Sequence, residues 1–64
     1  MNGKKLRELR EQKGLTSEAL GEMVGVSHAM IIRIELGTKD PSIKLLISIA
    51  NALGVTASEL IDEK

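Results

Sequence analysis

The sequence predicts an all-α fold of five short helices, on three observations. Serine or threonine starts and glycine stops follow one another at short intervals, as they do where helices succeed each other closely. Between them, apolar residues recur at three- and four-residue spacing with no strand-like alternation. The third observation is compositional: the 64 residues contain no Phe, Trp or Tyr. Aliphatic side chains must then fill the interior, which suits close-packed helices and denies a sheet its aromatic cross-strand pairs.

The first segment, Lys4 to Lys13, is bracketed by Leu6, Leu9 and Leu15 and charged elsewhere, which predicts a surface helix ended by Gly14. Pairs such as Lys4 and Glu8, four residues apart, would lace its charged face. Thr16 stands as N-cap of a second helix, with Glu18 in the positive first turn, an apolar set of Ala19, Leu20, Met23 and Val24, and Gly25 as the stop. Ser27 caps a third, short helix from His28 to Leu36, closed by Gly37 in the left-handed C-terminal position. Thr38-Lys39-Asp40-Pro41 is a loop, because the residue before a proline is pushed away from helical angles. Ser42 opens the fourth helix, whose apolar positions are Ile43, Leu46, Ile47, Ile49, Ala50 and Leu53, with Gly54 as its end. Thr56-Ala57-Ser58-Glu59 has the form of a capping box and starts a fifth segment carrying Leu60 and Ile61 before a charged tail.

Residues 1–64 are expected to form one domain, since a chain this short buries only about 60% of the surface its unfolded form exposes. With no cysteine and one histidine, neither a disulfide framework nor a metal cluster is available, and no cofactor is expected. Ser17, Ser27, Ser42 and Ser58 have no acid or base partner at a diagnostic spacing, so the chain does not read as an enzyme and no small-molecule substrate is expected. No apolar run approaches the roughly 18 residues of a membrane span, which argues against a membrane partner and fits a cytoplasmic home. Nine basic and nine acidic residues cancel to a formal charge of zero. The distribution is uneven: Lys4, Lys5, Arg7, Arg10 and Lys13 outnumber Glu8 and Glu11 by three in residues 1–13, so the remainder is negative by three.

The most informative stretch joins two short helices through Val24-Gly25-Val26-Ser27, because a short glycine-containing turn sets consecutive helices at a steep angle. Gly25 permits the turn, and Gly21 allows close approach. Val26, Ile31 and Ile34 would anchor the second of the pair to the core. This is helix-turn-helix geometry, at about residues 17–36.

Leu6-Arg7-Glu8-Leu9-Arg10-Glu11, Lys13-Gly14-Leu15-Thr16, Leu20-Gly21-Glu22, Gly25-Val26-Ser27, Arg33-Ile34-Glu35, Gly37, Pro41-Ser42 and Ala52-Leu53-Gly54-Val55 follow one another in a recognisable order and spacing. In these motifs the chain resembles the lambda-repressor-like DNA-binding domains of phage repressors, Cro proteins and bacterial XRE-type regulators, over nearly its whole length. The resemblance implies a compact five-helix domain that binds a double-stranded DNA operator as a transcriptional regulator, repressor-like, with its third helix in the major groove. Carried over by position, it implies base-edge contacts from His28, Ala29, Met30, Ile32 and Arg33, with Ser17 and Ser27 at the helix starts. Phosphate contacts would come from Thr38, Lys39 and the backbone near Gly37. It also implies a structural ion pair between Arg10 and Glu35, and a homodimer that spans two half-sites. A dimer contact in the fifth helix, around Val55, Leu60 and Ile61, is the family alternative to one through the third helix.

The third helix departs from that family in being apolar nearly all round, with only His28, Arg33 and Glu35 polar inside it. Relatives carry polar or basic residues where Met30, Ile32 and Leu36 stand here, and glutamine is common where Ser17 stands. Met30, Ile32 and Leu36 are expected to project from one side as an apolar patch. Aliphatic groups can pack on the thymine methyl in the major groove. A patch of this kind also suits a different function, a protein-association module on the same fold that uses the third helix as its interface.

Overall fold

The structure, a computed structural model, describes residues 1–61; the charged tail at 62–64 lies outside them. Five helices follow in order: α1 (Gly3–Gln12), α2 (Ser17–Val24), α3 (His28–Leu36), α4 (Ile43–Leu53) and α5 (Ala57–Leu60). There is no strand among the described residues.

Local chemistry sets most of the boundaries. The hydroxyls of Thr16, Ser27 and Ser42 accept from the backbone N–H three residues on, at 3.0, 3.2 and 3.1 Å, each satisfying one of the donors that a helix start leaves unpaired. Asn2, which the sequence does not single out, caps α1 in the same way by accepting from the Lys5 N–H at 3.0 Å. The helix therefore begins one residue earlier than the charge pattern suggests and ends at Gln12, with Lys13 as its C-cap. The exposed ion pair on α1 joins Arg7 and Glu11, at 3.2 Å.

The capping box expected at residues 56–59 does not form. Thr56 makes no side-chain cap bond, because its hydroxyl is shared with Ser58 at 2.9 Å. Ile61 falls outside α5, whose C-cap it is, in an extended conformation.

One core joins all five helices. Leu6, Leu20, Ile31, Ile34, Ile49, Leu53 and Leu60 are buried, with Ala50 beside them. Each such side chain withdrawn from water contributes about 1.5 to 3 kcal/mol before conformational entropy is charged against it. The N-terminus is tied into the same assembly, since the Asn2 N–H donates to the Leu60 carbonyl at 2.7 Å. Leu60 is thus interior to this chain and is unavailable as a dimer contact; of the three residues expected there, Ile61 is exposed and Val55 half-buried.

Three apolar residues expected on inward faces lie outside. Met23 is exposed on α2, and Ile43 and Ile47 are exposed on α4. At 100° per residue, Met23 is turned one step away from Val24 and Ile47 one step away from Leu46, which is enough to leave the inward stripe.

Candidate nucleic-acid interface

Two glycines make the turn between α2 and α3 tight. Gly25 adopts a left-handed conformation with φ at 81°, and its N–H and that of Val26 both donate to the Gly21 carbonyl. A side-chain carbon on Gly21 would stand 2.6 Å from the Val26 carbonyl oxygen, so only glycine lets α3 leave the turn this close to α2. Val26, half-buried, and the buried Ile31 and Ile34 fasten α3 to the core.

An ion pair completes that inner attachment. Arg10 of α1 donates from Nε to Glu35 Oε2 at 2.6 Å and from Nη2 to Oε1 at 3.2 Å, a two-pronged contact between planar groups. Its Nη1 donates to the Leu15 carbonyl at 2.8 Å. The Arg10 and Glu35 side chains are only 13% and 8% exposed. Donating to Glu35 holds the guanidinium pKa above its ordinary value, against the opposing effect of burial and with help from the Glu35 charge.

The outward residues of α3 are His28, Ile32, Arg33 and Leu36, with Ile32 39% and Leu36 70% exposed. Ala29 is half-buried on the same side. Met30 is not part of this face. It is half-buried and packs against the core, because Met30 and Ile32 stand about 200° apart around a helix axis. The expected patch of three is therefore Ile32 and Leu36, and with apolar residues on nearly every side of the helix the sequence holds no signal from which that phase could be read.

Around this face, Ser17 is half-buried as the first residue of α2, while Ser27 and Lys39 are exposed. Thr38 is exposed too, but its hydroxyl donates to the Arg33 carbonyl at 3.2 Å and its N–H to the same oxygen at 3.0 Å, so it closes the end of α3. An open cleft beside the N-terminus of α3 is lined by Glu18, Glu22, Val26, Ser27 and His28. Among the described residues no group of three or more acidic, histidine or cysteine side chains could hold a metal, and no helix is long and apolar enough to cross a membrane.

Two helices locked across a glycine turn, the second fixed from inside and open along its outer flank, define a helix-turn-helix domain. The chain belongs to the helix-turn-helix family, matched over residues 6–60. It is 49% identical over 49 residues to an uncharacterised HTH-type transcriptional regulator of Methanothermobacter thermautotrophicus, covering 77% of this chain and 71% of that one. It is 34% identical over 61 residues to the HTH-type transcriptional regulator PuuR of Escherichia coli, covering 95% of this chain. The chain spans about a third of PuuR, at 33% of its length. Among solved structures it is similar to the P22 c2 repressor in complex with a synthetic operator, with a TM-score of 0.91 and 29% identity over 97% of this chain and 94% of that one.

Proposed function

We propose that the chain is the DNA-reading domain of a transcriptional regulator, repressor-like, that binds a double-stranded operator with α3 in the major groove and α2 across the backbone above it. The observation that carries this reading is the outer flank of α3. His28, Ile32, Arg33 and Leu36 are open to a partner while Ile31, Ile34 and the Arg10–Glu35 pair hold the same helix rigidly from within. The family match and the operator-bound P22 c2 repressor support it. They do not favour a protein-association module as the main role. Regulation then needs no chemistry on the nucleic acid, only occlusion or recruitment at the operator, and a cytoplasmic location goes with it.

Within that reading, Arg33 addresses the N7 and O6 edge of a guanine, and Ser17, Ser27, His28 and Ala29 approach the duplex from the helix starts. Met30 supports α3 from its flank, since it packs on the core. Lys39 and the backbone near Gly37 and Thr38 approach phosphates. One such domain offers limited contact area, so a homodimer spanning half-sites about 34 to 36 Å apart is the arrangement we favour.

A salt titration of duplex binding tests the proposal. Neutralising phosphates makes log affinity fall linearly with log salt at about −0.9 per phosphate on B-DNA. A steep slope is expected; association with duplex that salt leaves unchanged would refute the reading.

A further inference from the structure

We infer that the outer face of α3 selects its operator by thymine methyl groups, read by Ile32 and Leu36 beside a guanine contact from Arg33. The inference rests on the DNA-binding reading above and deepens it.

Ile32 and Leu36 lie four residues apart on one helical face, 39% and 70% exposed. The largest apolar group presented on the base edges of the major groove is the thymine C5-methyl; cytosine offers only a C5–H there, and the remaining features are mainly donors and acceptors. An aliphatic side chain pressed against a purely polar edge would strip water from groups it cannot hydrogen-bond, so it discriminates against those bases as well as favouring thymine. The rim of the face carries cations as well as the exposed Glu18 and Glu22 of the cleft beside His28. Arg33 is one residue from Ile32, and Lys39 follows Leu36 by three, both exposed. Those two cations complement phosphates flanking a groove.

Spacing sharpens the inference. Four helical residues advance about 6 Å, close to two base steps of about 3.4 Å along one strand. The operator half-site should therefore hold two thymines about two steps apart, with a guanine near the first of them. Met30 contributes nothing to this pattern, because it packs inward.

The experiment selects duplexes from a randomised pool with the full chain, then replaces each thymine in turn by deoxyuridine, which removes the methyl and leaves the pairing edge intact. Two positions about two steps apart should each weaken binding about fourfold, the value of one buried carbon group. In Ile32→Ala one of those losses should vanish, and in Leu36→Ala the other, with melting curves that show both variants folded at the temperature of the binding assay. Deoxyuridine without effect at every thymine overturns the inference, as do losses that persist undiminished in both variants. Failure to enrich any duplex would instead remove the DNA-binding reading itself.

Discussion

Arg33 and Glu35 stand two residues apart on α3 and about 200° apart around its axis, so the helix turns one charge outward and sinks the other against Arg10. The exposed charge serves recognition and the sunken one holds the recognition helix in place. Substitutions at the two positions should accordingly separate binding from stability.

Glu35→Ala leaves the Arg10 guanidinium facing the core margin with no carboxylate. The pair is part-buried, so breaking it should cost more than an exposed pair, about 0 to 1 kcal/mol, and no more than a fully buried one, about 3 to 5 kcal/mol. A 64-residue domain has in total roughly 3 to 10 kcal/mol, at 0.05–0.15 per residue. Glu35→Ala and Arg10→Ala should each lower the stability read from the urea midpoint by a sizeable share of that total. A matched apolar pair, Arg10→Met with Glu35→Leu, should recover much of the loss. Melting temperatures unchanged in both single variants would show that the pair holds nothing.

Arg33→Ala should leave the melting curve alone, since the side chain is exposed. It should relax discrimination at one guanine by about 1 to 3 kcal/mol in competition binding. Equal weakening on every duplex would make Arg33 a phosphate contact instead.

Gly3→Ala probes a contact that no motif announces. A methyl there would lie 2.5 Å from the Ile34 carbonyl oxygen and press also on that of Glu35, both backbone atoms that cannot swing aside. The start of α1 or the end of α3 must move, at about 1 to 3 kcal/mol by the usual range for overpacking. Denaturant midpoints measure it, and a wild-type midpoint would mean that the two helices separate freely here.

Thr16→Ala and Thr56→Ala should differ although the two threonines occupy equivalent positions. Thr16 accepts from the Ala19 N–H, so its loss should cost about 1 kcal/mol. Thr56 makes no cap bond, and its loss should fall within about 0.5 kcal/mol, as for an ordinary surface change. Equal losses in thermal melts would contradict this assignment of the caps.

The helix limits were legible because the groups that set them are local. Ser27 reaches an N–H three residues away, and Gly37 takes its left-handed angles whatever packs nearby, so His28–Leu36 follows from its own residues. The steep helix pair was legible for the same reason, since Gly21 and Gly25 act within a single turn. The orientation of Arg10 toward Glu35 came from family resemblance; no local rule joins residues twenty-five apart.

Burial was decided by the tertiary structure alone. Met30 and Ile32 are both apolar and sit in a helix whose sequence gives no polar side from which to take the phase, yet one packs on the core and the other stays open. Ile43, Ile47 and Met23 continue an apolar spacing but are exposed, while Leu60, on a four-residue helix, is wholly enclosed. A cap acts within one turn of the chain that carries it. An apolar side chain is buried only where another segment arrives to cover it, and that arrival depends on contacts distant in sequence.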